Sequence, residues 1–223
     1  MSAAAVLFDL DGTLIDTAAD LVAVLNRMLR EARQPPMPYA IARNRVSNGA
    51  IGLLRLGFGS DLDEAEMAAL RERFLEVYLQ NICINSRLFI DIYNIFNSEH
   101  DIVRWGIVTN KPQGMTDALL ARLGIEALPG SIVGGDRLRQ RKPHPAPLLL
   151  AAEELGTAPA DCIYVGDAER DIEAGRAAGM RTVLAAYGYI APGTDLFSWG
   201  ADAVVRHPRD MAATLNALGV AIR

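Results

Sequence analysis

Two carboxylates at the end of an apolar run are where chemistry first becomes possible in this sequence. Val6-Leu7-Phe8 is the kind of stretch that forms a strand buried on both faces, and it delivers Asp9 and Asp11, with Gly12 and Thr13 directly after. Side chains two apart on a strand lean to the same side, so Asp9 and Asp11 point into one small volume, and Gly12 lets the backbone turn tightly above them. Carboxylates that close repel unless a cation or a proton is shared between them. A second acidic pair stands in Gly166-Asp167-Ala168-Glu169-Arg170-Asp171, behind the apolar run Cys162-Ile163-Tyr164-Val165, with Asp171 one helical turn beyond Asp167. Two further signals lie between the pairs. Thr109-Asn110 closes the run Trp105-Gly106-Ile107-Val108, and Lys142 is followed by Pro143 and Pro145, which fix the backbone just before a helix. Taken singly each has a plainer use: a capping turn, a helix N-cap, an acid at a helix start, a solvated lysine.

In this order the four stretches resemble the motifs of the haloacid dehalogenase-like phosphohydrolases. Asp9-Leu10-Asp11-Gly12-Thr13 is similar to the first motif, Thr109 to the second, Lys142 to the third, a lysine held beside the nucleophile, and Asp167 with Asp171 to the fourth. The resemblance implies that Asp9 attacks phosphorus and that Asp11 is general acid and base. It implies that Thr109, Asn110 and Lys142 hold phosphate, and that Mg2+ is held by Asp9, by Asp11 through its backbone carbonyl, and by Asp167. Asp171 then supports Lys142 or a metal-bound water. The implied architecture is α/β, a doubly wound parallel sheet (Rossmann-like core) with an inserted helical cap, the core at residues 1–16 and 87–223 and the cap at 17–86. Within that cap Arg43, Arg45 and Arg55, around Ser47-Asn48-Gly49, resemble the specificity loop of phosphoglycolate phosphatases. Arginine suits a carboxylate through paired hydrogen bonds, although solvated helix charges are the plainer use of all three. Tyr187-Gly188-Tyr189-Ile190 and Trp199-Gly200-Ala201-Asp202 look more like the related N-acetylmuramic acid 6-phosphate phosphatases of cell-wall recycling. The expected substrate is therefore a small carboxylated phosphate ester such as 2-phosphoglycolate, with the muramic acid phosphate as the alternative. A sugar phosphomutase of the same fold and a non-enzymatic receiver-like domain are the rival readings.

The elements that must position these residues follow from periodicity. Thr17-Ala18-Ala19-Asp20 reads as a capping box, after which Leu21, Val24, Leu25, Met28, Leu29 and Ala32 recur on one helical face. Pro35, Pro36 and Pro38 stop that helix. A second runs from about 40 to 56, ahead of Gly57-Phe58-Gly59. A third, from about 61 to 81, carries Met67, Leu70, Phe74, Val77 and Tyr78 on its apolar face and Glu64, Arg71, Glu72 and Arg73 on the other. From 84 to 101 the composition turns rich in Ile and Asn, where relatives have a Pro-Gly turn, so the cap-to-core connection is either a diverged hinge or an altered reading frame. Beyond it, short apolar strands alternate with helices to the end of the chain, which predicts a parallel sheet whose ligand sits outside the carboxyl ends of its strands.

The bulk numbers narrow the function classes. The 223 residues allow one large domain or a core with an insertion, and 51% hydrophobic with 22% charged residues predicts a packed globular chain. The net charge of −5 offers no basic stripe for nucleic acid, so a small-molecule partner is expected. No apolar run has the length of a membrane span, and the first ten residues already read as strand and motif. The expectation is a cytoplasmic protein without membrane partners, monomer or homodimer. Cys83 and Cys162 lie far apart in apolar surroundings, with no neighbouring His or CxxC pair, and are expected as buried thiols.

Overall fold

The chain is described by a computed structural model over residues 5–96 and 104–220. It begins with β1 (Ala5–Phe8) and a two-residue strand, β2 (Ile15–Asp16). Then come α1 (Ala18–Glu31), α2 (Tyr39–Arg43), a 3-10 turn at Val46–Asn48, α3 (Gly49–Phe58) and α4 (Glu64–Gln80). The chain returns through β3 (Arg87–Leu88) and α5 (Ile90–Phe96). Alternation follows: β4 (Arg104–Val108), α6 (Gln113–Leu123), β5 (Ser131–Val133), α7 (Ala146–Glu154), β6 (Cys162–Gly166), α8 (Glu169–Ala177), β7 (Arg181–Ala185), β8 (Ala203–Val205) and α9 (Met211–Ala217).

Six strands form one sheet in the order β5-β4-β1-β6-β7-β8, and every pairing in it is parallel. The side chains of β1 are fully buried because helices cover both faces. Val6 and Phe8 pack with Leu119 and Leu120 of α6 and Met211 and Leu215 of α9. Ala5 and Leu7 face Leu148, Ala151 and Ala152 of α7 and Ala174 of α8. This is why the run is apolar without alternation. Phe8 is in register with Ile107 on one side and Val165 on the other, so the residues that follow all three strands emerge together at one sheet edge.

The helical segment leaves the sheet through β2 and returns through β3. These strands pair antiparallel, Ile15 with Leu88 and Asp16 with Arg87. The apolar face expected for α1 is buried at Leu21, Val24, Leu25, Met28 and Leu29. The capping box expected at Thr17 is absent. Thr17 makes no side-chain cap bond and donates to Asp11 Oδ1 at 2.6 Å, while buried Asp20 accepts from the backbone and side chains of Asn85 and Ser86 at 2.6–3.1 Å. The single helix expected from 40 to 56 is two helices, so the segment holds four rather than three. Asn44 donates back to the Ala40 carbonyl at the end of α2, and Gly49 takes φ +65 between the 3-10 turn and α3. α4 starts three residues later than expected because Asp63 and Glu66 form the reciprocal cap. Of the unusual stretch 84–101, residues 87–88 pair with β2 and 90–96 form α5, with Ile92 and Ile95 buried; 97–101 lie outside the described residues. Both cysteines are free thiols; Cys162 is buried, whereas Cys83 is only half-buried.

Candidate active site

Asp9, Thr109 and Asp167 directly follow, or lie one residue beyond, the ends of β1, β4 and β6, so the sheet register brings them to one edge. The Asp9 amide donates to the Val165 carbonyl at 2.8 Å and the Thr109 amide to the Val133 carbonyl at 2.9 Å, which carries the ladder past the formal strand ends. Gly12 (φ +85) is required here by both backbone and space. A Cβ at this position would lie 2.4 Å from Asp167 Oδ2 and 2.9 Å from the Tyr189 ring. Gly188 closes on Asp167 from the other side, where a Cβ would come within 2.3 Å of that of the aspartate.

Lys142 is buried at the centre of the edge. Its Nζ lies 2.8 Å from Asp9 Oδ1 and 2.8 Å from Asp171 Oδ1, and it donates to Tyr164 Oη at 2.7 Å and to the Val108 carbonyl at 3.0 Å. Burial alone would lower the pKa of this ammonium, but the charges of Asp171 and Asp9 outweigh it and the pKa is raised. Asp171 is saturated in turn, its Oδ2 accepting from the Ala168 amide at 3.0 Å. The side chain of Asn110, expected on phosphate, exchanges hydrogen bonds with the Lys142 backbone at 3.0 and 3.1 Å and so aims the lysine. Lys142, expected beside the nucleophile and on phosphate, directs its N–H groups at Asp9, Asp171, Tyr164 and the Val108 carbonyl.

Asp11 keeps different company. Its Oδ1 accepts from Thr17, and both of its oxygens lie 3.0 Å from Lys111 Nζ. That ammonium also stands 4.6 Å from the centroid of the Tyr78 ring on α4. Burial would lower the Lys111 pKa, and the Asp11 charge more than reverses this. Tyr78 is pushed up to about 12, chiefly by burial.

Asp9, Asp167 and Asp171 bring carboxylate oxygens within 4.8 Å of one another, a group that excludes the side chain of Asp11. Asp167 Oδ2 accepts from Ser47 and from the Tyr189 amide, each at 2.8 Å, but Oδ1 is buried with no hydrogen-bond partner. Burial first, and then the charges of Asp9 and Asp171, push the Asp167 pKa up to about 7. An orphaned carboxylate oxygen beside a second acid is a donor set that fits a hard divalent cation.

A cavity of about 420 Å³ opens over this edge, with Asp9, Asp11, Thr109, Lys111 and Lys142 along the sheet side. Its far wall is apolar, formed by Val46, Ile51, Phe74 and Leu75, with Ser47, Asn48 and Gly49 at the rim. The arginines expected to read substrate do not line it. Arg43 donates to the carbonyls of Gly188 and Tyr187 and lies over the Tyr189 ring, Arg55 is exposed on α3, and Arg45 lines a second hollow beside Asp167 and Trp199. The arginines at the cavity are Arg71, Arg141 and Arg170. Arg71 was expected on the solvent face of α4, but packing of that helix against α1 and α3 turns it inward.

The profile of the haloacid dehalogenase-like hydrolases matches residues 6–185. The chain belongs to that family. It is 39% identical over 213 residues to the N-acetylmuramic acid 6-phosphate phosphatase of Pseudomonas aeruginosa, covering 95% of this chain and 94% of that one. It is 44% identical over 205 residues to the phosphoglycolate phosphatase of Xanthomonas campestris pv. campestris, covering 92% of each. Among solved structures, one described as a predicted phosphoglycolate phosphatase from Haemophilus somnus superposes with a TM-score of 0.82 at 27% identity, over 96% of this chain and 98% of that one.

Within this haloacid dehalogenase-like hydrolase, sequence reasoning missed Lys111, Tyr78, Thr17, Tyr164 and Arg170. Lys111 had a signal, since it directly follows Thr109-Asn110 at a strand end. Tyr78 had the opposite signal, because it fell on an apolar helical face. Arg170, inside the fourth motif, donates to the Ser47 carbonyl and so ties the 46–48 turn to the start of α8. Among the described residues no helix is long and apolar enough to cross a membrane.

Proposed function

We propose that this chain is a Mg2+-dependent phosphomonoesterase that hydrolyses a small carboxylated phosphate ester, 2-phosphoglycolate before others, through an aspartyl-phosphate on Asp9. The observation that carries this reading is Asp9, held 2.8 Å from buried Lys142 beside the partnerless Asp167 oxygen, with Asp11 held separately by Lys111. Mg2+, held by Asp9, Asp167 and the backbone carbonyl of Asp11, would supply the positive charge that neutralises the substrate's phosphoryl oxygens. Lys142 fixes the direction of the Asp9 carboxylate for in-line attack on phosphorus, and Asp171 and Asn110 fix Lys142. Asp11 gives a proton to the departing alcohol and takes one from the water that cleaves the acyl phosphate. Thr109 and the amides after it receive phosphate oxygens. Residues 17–86 act as the cap that excludes water from the cavity, on a core of residues 1–16 and 87–223. The substrate is a soluble small molecule in the cytoplasm.

A second substrate reading has its own support. The apolar wall and the volume of about 420 Å³ exceed what 2-phosphoglycolate can fill, and they suit a larger carboxylated ester such as N-acetylmuramic acid 6-phosphate. The test is phosphate release over a panel containing both esters. Activity is expected with Mg2+, lost in EDTA, restored by Mg2+ and not by Ca2+, whose looser coordination spoils alignment. Asp9→Asn is expected to remove turnover while the far-UV circular dichroism stays native. Release of an isomeric sugar phosphate in place of inorganic phosphate would make the protein a mutase, and more than a trace of turnover by purified Asp9→Asn would end the covalent mechanism.

A further inference from the structure

A second buried lysine besides Lys142 lines the cavity, and it stands on the Asp11 side. Lys142 is enclosed by Asp9, Asp171 and Tyr164. Lys111 instead lies between Asp11 and a wall of the cavity, its ammonium 3.0 Å from both Asp11 oxygens and 4.6 Å from the centre of the Tyr78 ring. Tyr78 is 1% exposed, and beyond the approach of Lys111 its hydroxyl meets no hydrogen-bond partner among the described residues. A buried hydroxyl without a full hydrogen bond is costly to fold around, and Tyr78 is among the residues that line the cavity. Arg71, from the same helix as Tyr78, lines the cavity and makes no ion pair among the described residues.

Position decides what this pair can read. Asp11 is the acid assigned to the departing alcohol, so a side chain within hydrogen-bond distance of Asp11 stands on the leaving-group side. That is the side on which one phosphate ester differs from another. Lys111 already grips a carboxylate there through both oxygens, the same geometry a substrate carboxylate would offer.

We propose that Lys111, with Tyr78 behind it, is a specificity-determining residue that binds a carboxylate on the alcohol part of the substrate, passing from Asp11 to that carboxylate as substrate enters. The inference rests on the phosphatase reading above and adds the residue that reads the alcohol. A lysine suits the task because its flexible stem lets a compact charge move between two acceptors. The Tyr78 ring keeps its face to the cation in both positions, and its free O–H donates to the incoming carboxylate.

The test compares kcat/KM for 2-phosphoglycolate with kcat/KM for p-nitrophenyl phosphate, which has no carboxylate, in wild type, Lys111→Met and Tyr78→Phe. The ratio is expected to fall at least about tenfold in Lys111→Met, as when one partner of a buried charge pair is removed. It is expected to fall about tenfold in Tyr78→Phe, the loss of one hydrogen bond to a charged acceptor. A ratio unchanged in both variants, with both esters slowed equally, would overturn the proposal and leave Lys111 as a support for Asp11. Calorimetry on the Asp9→Asn protein separates this from failure of the phosphatase reading. There Lys111→Met should weaken 2-phosphoglycolate more than inorganic phosphate, and equal weakening, or a parent protein that binds the two alike, counts against Lys111 whether or not any ester turns over. If Lys111→Met does not fold, the Tyr78→Phe ratio decides.

Discussion

Asp9 and Asp11 leave the same strand two residues apart, yet one faces Lys142 and the acids of the sheet edge while the other faces Lys111 and Thr17. This division predicts different losses on substitution. On the mechanism proposed above, Asp11→Asn leaves the Asp9 nucleophile in place and removes only proton delivery to the leaving group. Turnover of an alkyl phosphate should therefore fall by about 10²–10⁴, the usual contribution of a positioned acid. An aryl phosphate, whose leaving group needs little protonation, should lose far less. Paired kinetics on the two ester types measure this directly, and equal losses would remove Asp11 from the role of acid. The resemblance puts Lys142 beside Asp9, as it is found, whereas the company of Asp11 could not be read from sequence. Thr17 looked like a helix cap and serves Asp11 instead, because its backbone is in the αR region rather than the extended one a capping residue takes.

At the scale of elements, Asp20 joins the first turn of α1 to the residues that lead into β3, accepting from Asn85 and Ser86 while only 3% exposed. Asp20→Ala would strand these donors, and a cost of about 2–4 kcal/mol is expected from losing buried bonds to a charged acceptor. Urea unfolding should report it, with exposed Asp61→Ala shifted far less; equal shifts would mean that the clasp contributes nothing. The core elements were legible because their signals are local. A non-alternating apolar run, a Gly at a helix end and an acid after a strand are each visible within a few residues, and β1, α6 and β6 appear where those signals put them. Which arginines face the cavity was not legible. Arg43 is held by carbonyls 144 and 145 positions away, and Arg71 faces inward only because of how α4 lies on α1 and α3. No window of sequence contains those neighbours.

At the scale of the whole molecule, burial makes Cys162 a chemical reporter of the folded state. Its Sγ sits at the start of β6, the end of the strand away from the site, 3.4 Å from the Ala158 carbonyl, and burial pushes the thiol up to about 11. In the unfolded chain a thiol titrates near about 8.5. The folded state therefore binds the proton more tightly, and the stability this contributes is lost as pH rises from the unfolded value through the folded one. At pH 8 iodoacetamide should modify half-exposed Cys83 and spare Cys162 until urea opens the core, and prompt labelling of both would contradict the packing around β6. The two-residue ribbon of β2 and β3 has a consequence of another kind. Ile15 and Leu88 are cross-strand partners, so everything between them begins and ends about one strand spacing apart. To the sheet, the intervening helices amount to a closed loop whose entropic cost grows only with the logarithm of its length. Lengthening or replacing those helices is nearly free for the part that holds the acids, and the sheet edge can keep one chemistry while the inserted helices are exchanged.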